Sequence, residues 1–113
     1  MDFKPSLLAD IGATNARFAI TEDGLSYHNP KELKISEYNS MSDLCMGYLS
    51  SIKTTNIRRA FIGVAAPVIG DIITFVNCDL EFSQSELQLS LFPNGLKVVN
   101  DLALQAHAVN LLE

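Results

Sequence analysis

The stretch "LLADIGATNARFAI", residues 7–20, constrains the fold of this chain more than any other part of its sequence. Apolar runs stand at both ends of the stretch, and polar residues between them surround Gly12. The second run alternates, with its larger apolar residues on one face of an extended strand. We therefore predict two antiparallel strands, over 6–10 and 15–21, joined by a tight turn around Gly12.

Periodicity and turn residues predict the next elements. Turn-forming residues between 22 and 30 separate the hairpin from a predicted third strand, "KELKIS", at 31–36. From Ser40 the apolar residues follow helical spacing, and Ser40 and Asp43 suit the cap and first turn of a helix. The continuous apolar run within 58–68 is typical of a central strand covered on both faces.

The second half of the chain gives signals that conflict in places. Residues 70–77 follow a Gly-Asp turn and favour a β-branched strand that returns antiparallel. Within 82–92 a capping box of Ser83 and Glu86 favours a helix, whereas alternating leucines favour a strand. We predict a helix there. The turn residue His28 is expected at the surface.

The last two predicted elements are a short buried strand at 96–99 and a buried helix over 102–113. The fold class is α/β, with one mixed sheet flanked by helices. In that sheet the first two strands are antiparallel and the last two run parallel to the first; the four strands lie at 6–10, 15–21, 59–66 and 96–99. An apolar last helix without a terminating Gly, Asn or Pro indicates the first part of a longer protein.

Composition excludes several classes of function. The 113 residues carry 8 Lys and Arg against 13 Asp and Glu, and the net charge of -5 offers no footprint for nucleic acid or an anionic membrane. The apolar start is too short for a signal peptide or a membrane span, which favours the cytoplasm. Cys45 and Cys78 belong to no paired ligand motif and are expected to be buried free thiols. His28 and His107 lack zinc-ligand spacing.

The polar turn is the first candidate site. A Gly-containing bend directs backbone N–H groups to one spot, which suits phosphate oxygens, and Thr14 and Asn15 add side-chain donors. Asp10 is placed to hold Mg²⁺ directly or through water, and Arg17 to complement phosphate charge. The alternative is a capped turn in which Asp10 and Thr14 satisfy local amides and Arg17 lies in solvent. The spacing of the residues leaves both interpretations open.

Asn100 and Asp101 form the second candidate site, at the end of one predicted strand and the start of a helix. Ligands of α/β proteins collect at the carboxyl ends of strands, so this pair and Asp10 are expected to face one crevice. A carboxylate there could accept a proton from a substrate hydroxyl. Asn and Asp are also favoured helix N-caps, and that role alone could explain both residues.

Four motifs give the chain a family resemblance: "ADIGATNARFAI", "GVAAPVIGD", "FVN" and "VVNDLALQA". In this order and spacing they resemble the amino-terminal half of bacterial ATP-dependent glucokinases, within the hexokinase, actin and Hsp70 superfamily. The resemblance covers essentially the whole chain. It implies a ribonuclease-H-like domain of the actin-like ATPase type over residues 1–113, hinged to a larger carboxy-terminal domain that this sequence lacks, with ATP and glucose bound in the cleft between them.

The resemblance also implies roles for individual residues. Asn100 matches the sugar-binding Asn, Asp101 the catalytic and sugar-binding Asp, and Asn77 a sugar-proximal Asn. The first phosphate motif of the family, which binds ATP and Mg²⁺, is matched by Asp10, Gly12, Ala13, Thr14, Asn15 and Arg17. Ala13 stands where the family usually has a second Gly, so the turn loses some backbone freedom. The implied full-length enzyme is a homodimer, and 113 residues alone are expected to be inactive.

Other functions stay open on the sequence. The contacts by which a sugar kinase selects its sugar lie partly outside this chain, so another hexose or an N-acyl sugar could be the substrate. A ribonuclease-H-like nuclease would bind two metals, but the acidic chain without a basic face argues against it. A non-catalytic sugar sensor on the same fold would need hydrogen-bonding partners for the sugar but no general base. The presence of Asp101 therefore argues against a sensor.

Overall fold

The structure, a computed structural model, describes residues 5–22, 26–54, 57–75 and 80–100. Two helices and a 3₁₀ turn at Ile35–Glu37 accompany seven strands within these residues. The helices are α1 (Met41–Ser51) and α2 (Gln84–Ser90). The strands are β1 (Ser6–Ile11), β2 (Asn15–Thr21), β3 (His28–Lys34), β4 (Arg59–Val64), β5 (Ile72–Thr74), β6 (Glu81–Ser83) and β7 (Gly95–Asn100).

Five strands form one mixed sheet in the order β3-β2-β1-β4-β7. β2 runs antiparallel to both β1 and β3, whereas β4 is parallel to β1 and β7 is parallel to β4. This arrangement confirms the predicted α/β class and the predicted mixed sheet. β1 lies at its centre and is buried over most of its length, as its apolar composition requires.

One face of the sheet carries the core. Leu7, Ala9 and Ile11 of β1 point to this face and are at most 1% exposed. Phe18, which pairs with Ala9, stacks on Tyr48 of α1 with ring centroids 5.0 Å apart. Such a pair stabilises a fold by about 0.5–1.5 kcal/mol beyond the area it buries. α1 therefore covers the Ala9 face, and Asp10, one residue on, belongs to the opposite face.

α1 begins where the sequence predicts. The Ser40 hydroxyl accepts a hydrogen bond from the Asp43 amide at 3.0 Å, which satisfies one donor of the first turn. Cys45 is a buried free thiol, as predicted, and burial raises its pKa to about 12. Burial also raises the pKa of Tyr48 to about 12, and its hydroxyl donates to the Asn29 carbonyl at 2.7 Å. Both groups are therefore neutral core residues near pH 7.

The structure corrects three predictions. β3 begins at His28, not at residue 31, and the chain enters the 3₁₀ turn at Ile35; His28 is exposed but lies in a strand. The strand predicted at 70–77 is only the short β5, and it pairs with β6 in a separate two-stranded sheet. Among the described strands β7 is an edge strand that pairs with β4 alone, and only Val98 of its six residues is buried.

Some predictions fall on residues that the structure does not describe. They are the helix over 102–113, His107 and Cys78. Within the described ranges, no helix is long and apolar enough to cross a membrane. The predicted helix over 82–92 is confirmed as α2, and Ser83 caps it by accepting from the Glu86 amide at 3.2 Å. The capping box therefore outweighs the alternation of the leucines.

Asp71 joins the loop before β5 to the start of α2. Its carboxylate accepts hydrogen bonds from the Ser83 hydroxyl, the Ser85 amide at 2.8 Å and the Ser85 hydroxyl at 3.0 Å. Its carbonyl accepts from the Gln84 amide at 2.9 Å. The hydrogen bond from Ser83, followed by that from the Ser85 amide, lowers the pKa of Asp71.

The lowered pKa makes Asp71 a source of pH-dependent stability. The carboxyl binds its proton less readily in the folded protein, so its contribution is present above the ordinary pKa of 3.8 and is lost as the pH falls through the lowered value. We expect Asp71→Asn to destabilise the protein at pH 7 and to flatten the fall in unfolding free energy under acid. Urea unfolding followed by circular dichroism between pH 7 and about pH 3 measures both effects. Parallel pH curves for the two proteins would contradict the assignment.

Candidate functional site

The polar turn follows the carboxyl end of β1 and leads directly into β2. The Gly12 amide donates to the Asn15 carbonyl at 3.0 Å, which closes the turn. A Cβ atom on Gly12 would lie 3.3 Å from that same carbonyl oxygen, so any other residue there would require the turn to shift by a few tenths of an ångström. Ala13 is half-buried beside it, whereas Thr14 and Asn15 are exposed at the tip. The predicted tight turn is confirmed.

Two neighbouring segments hold the turn in place. The Ile35 amide donates to the Thr14 carbonyl at 3.0 Å, and the Ala65 amide donates to the Ile11 carbonyl at 3.0 Å. Ile35 is buried, at 6% exposure, and anchors the 3₁₀ turn from which its amide reaches Thr14. Both contacts are made by backbone groups distant in sequence, so nothing in the residue types could have predicted them. The turn is therefore supported from both sides.

Asp10 and Arg17 form an ion pair beside the turn. They are register partners on β1 and β2, and the Arg17 Nη2 atom lies 3.6 Å from the Asp10 Oδ2 atom. The Asp10 side chain is 18% exposed, whereas that of Arg17 is 67% exposed. An exposed pair of this kind contributes little to stability, about 0–1 kcal/mol. It places a carboxylate and a guanidinium at the strand ends that flank the turn.

Asn100 lies at the same edge of the sheet as the turn. It is the last residue of β7 and pairs with Val64, which in turn pairs with Ile11. Two strand spacings separate Asn100 from Ile11, a distance of about 10 Å. Asn100 is exposed, and its register places it on the face of Val64 and Ile11, whereas Asp10 projects to the opposite face of the sheet. The structure thus places the two candidate sites at the same strand ends of the sheet, with Asp10 and Asn100 on opposite faces.

Two predicted site residues, Asn77 and Asp101, lie outside the described residues. Asp101 is the residue directly after Asn100 in the chain. The roles predicted for both stay predictions, as do the ligand roles of the turn residues.

The donors present at the turn fit a magnesium nucleotide. Mg²⁺ in such sites is held by one or two carboxylates together with substrate phosphates. Asp10 supplies one carboxylate at a partly exposed position. The described part of the chain contains no group of three His, Cys, Asp or Glu residues that could hold a metal by itself.

The order of the five strands in the mixed sheet, with a polar turn after the central strand, agrees with the ribonuclease-H-like α/β fold of the actin-like ATPases. Residues 7–113 match the family described as Glucokinase, and the chain belongs to that family.

Individual relatives agree with this assignment. The chain is 34% identical over 105 residues to a glucokinase of Neisseria gonorrhoeae and 36% identical over 109 residues to one of Ralstonia nicotianae; each match covers 93% of this chain and 32% of the relative. The crystal structure of a glucokinase from an Antarctic psychrotroph superposes with a TM-score of 0.78 at 30% identity, over 90% of this chain and 34% of that one. The chain thus spans about a third of these proteins.

Proposed function

We propose that this chain is the amino-terminal domain of an enzyme that phosphorylates glucose with ATP and yields glucose 6-phosphate. Membership of the glucokinase family carries the proposal. The polar turn after β1 supports it, because exposed Thr14 and Asn15 offer side-chain donors to phosphate, and the partly exposed Asp10 offers a carboxylate to a cation bound with it. Since the relatives are about three times as long, the proposal includes a larger second domain that completes the cleft.

In this proposal the turn binds the phosphate groups of ATP. Gly12 and Ala13 allow the backbone to approach them, and the Thr14 hydroxyl and Asn15 amide donate hydrogen bonds. Asp10 would hold Mg²⁺, through water, and Arg17 adds a positive charge at the edge of the site. The bound ion supplies neutralisation of the charge on the phosphate oxygens.

The sugar is assigned to the neighbouring strand end. Asn100 and Asn77 orient glucose through hydrogen bonds, and Asp101 accepts the proton of its 6-hydroxyl. The freed oxygen forms a bond to the γ-phosphorus as the bond from that phosphorus to the leaving ADP oxygen breaks. Phosphoryl transfer passes through a loose transition state, so the positions of the two substrates matter more than the strength of the base.

Location and assembly belong to the same proposal. The net charge of -5 is consistent with small substrates rather than nucleic acid. We assign the enzyme to the cytoplasm and expect a homodimer of the full-length protein.

The test is an assay of sugar kinase activity. It uses the complete gene product, which is the full polypeptide whose gene encodes these 113 residues. ADP formation is followed with glucose, mannose, fructose and N-acetylglucosamine as separate acceptors, each with and without Mg²⁺. The proposal expects turnover with glucose above the others. Higher turnover with N-acetylglucosamine would assign an N-acyl sugar kinase instead. Glucose binding by calorimetry without ADP formation would indicate a sugar sensor.

A further inference from the structure

The end of β3 lies against the turn, and its charged residues have no assigned role. Lys34, the last residue of β3, pairs with Asn15, and Glu32 pairs with Arg17. Directly paired residues project to the same face of a sheet, with Cβ atoms about 4.5–5.5 Å apart. Asn15 and Arg17 share a face because they are two residues apart, and Arg17 shares it with Asp10. Lys34 therefore projects on the face that carries Asp10.

The two cations at this edge are in different surroundings. Arg17 stands between two carboxylates, Asp10 on β1 and Glu32 on β3, and it forms the ion pair with Asp10. Lys34 is exposed and makes no ion pair with any residue that the structure describes. The positive charge of Arg17 is thus largely balanced by its neighbours, whereas that of Lys34 is available to an anion.

The position of Lys34 is fixed by its neighbour in the chain. The Ile35 amide donates to the Thr14 carbonyl at 3.0 Å, so the backbone that follows Lys34 is bonded to the turn itself. Lys34 has extended backbone angles, φ -85° and ψ 124°, which keep it in the alternation of β3. The flexible four-carbon stem of Lys34 is long enough to bring its ammonium group to an anion bound at the turn.

We infer that Lys34 is a further phosphate-binding residue of this site, which contacts the phosphate groups of a nucleoside triphosphate held by the turn. This inference rests on the proposed function only in taking the turn as a nucleotide site. It does not depend on which molecule accepts the phosphoryl group.

The test measures MgATP binding to the complete gene product directly by isothermal titration calorimetry. Lys34→Gln is expected to weaken binding roughly five- to tenfold, because a screened surface charge near phosphate oxygens is lost. Lys34→Arg keeps the charge and is expected to retain most of the affinity. Lys97→Gln is the matched control, since Lys97 is an exposed cation on β7, paired with Phe61 and away from the turn. It should bind as the wild type does.

Ionic strength gives a second measurement. If Lys34 contacts phosphate, added salt weakens MgATP binding more in the wild type than in Lys34→Gln. Equal affinity of the wild type and Lys34→Gln would overturn the inference, as would an equal loss in Lys97→Gln. MgATP binding that depends on Lys34 without phosphorylation of glucose would support the inference and overturn only the proposed sugar kinase. Absence of MgATP binding in the wild type would overturn both.

Discussion

Replacing Asp101 with asparagine is expected to lower the kcat of the complete gene product by roughly 10²- to 10⁴-fold, the usual worth of general-base assistance. The KM for glucose should change much less. Asparagine keeps the size of the side chain and can still form a hydrogen bond to the sugar, but it cannot take the proton at neutral pH. Steady-state kinetics with glucose and MgATP varied independently separates these effects.

Asn100 offers the matched comparison for that experiment. Asn100→Ala removes an exposed side chain at the end of β7 and is expected to raise the KM for glucose with a smaller effect on kcat. The two neighbouring residues should thus give opposite patterns, one in turnover and the other in sugar affinity. Near wild-type turnover in Asp101→Asn would reduce that residue to a helix cap and remove the central assignment.

Much of the sheet could be predicted from the sequence because several of its strands have a recognisable pattern of apolar residues within a few positions. The alternation after Gly12 and the apolar run within 58–68 predicted β2 and β4, and their pairing with β1 is confirmed. The capping residues Ser40 and Ser83 likewise predicted both helices. Periodicity and caps are properties of a few adjacent residues, so they can be recognised in the sequence without knowledge of the fold.

The errors arose where tertiary contacts decide. Asn29 and Pro30 are turn formers, and they lie within β3 at the register shift between Phe18 and Ile20, where Asn29 has a φ of 56°. Pairing of His28 and Lys31 with β2 on either side continues the strand across this irregularity. β5 is apolar enough for the main sheet, but it pairs with β6, a three-residue strand too short to show a pattern. The edge position of β7 also depends on the order of strands, which no single segment encodes.

The residues of the candidate site could be singled out from the sequence, but the contacts between them could not. Asp10 and Arg17 were both singled out, but their ion pair follows from strand register. The backbone support from Ile35 and Ala65 has no side-chain signature at all. Lys34 went unnoticed because a lysine at the end of a polar strand is ordinary, and only its pairing with Asn15 gives it a place at the turn.

Asp10→Asn is expected to lower the kcat/KM for MgATP about 10- to 100-fold. This range is typical when a group that holds a metal through a bound water is removed. Loss of the negative charge lowers affinity for Mg²⁺, so the defect should appear as a raised KM for MgATP or a lowered kcat that depends on Mg²⁺ concentration. The KM for glucose should stay near its original value. Kinetics at several concentrations of free Mg²⁺ measures the effect, and excess Mg²⁺ should restore part of the activity.

Two further variants distinguish a loss of metal binding by Asp10 from a loss of its ion pair with Arg17. Asp43→Asn removes the same charge from an exposed position in α1 and should leave MgATP kinetics unchanged. Arg17→Gln breaks the 3.6 Å pair but keeps the carboxylate, so its defect should be smaller than that of Asp10→Asn and should respond less to Mg²⁺. If Asp10→Asn and Arg17→Gln instead showed equal defects that Mg²⁺ does not relieve, Asp10 would act only as the partner of Arg17. The magnesium assignment would then be wrong even in an active kinase, because the turn would bind phosphate without a carboxylate for the metal.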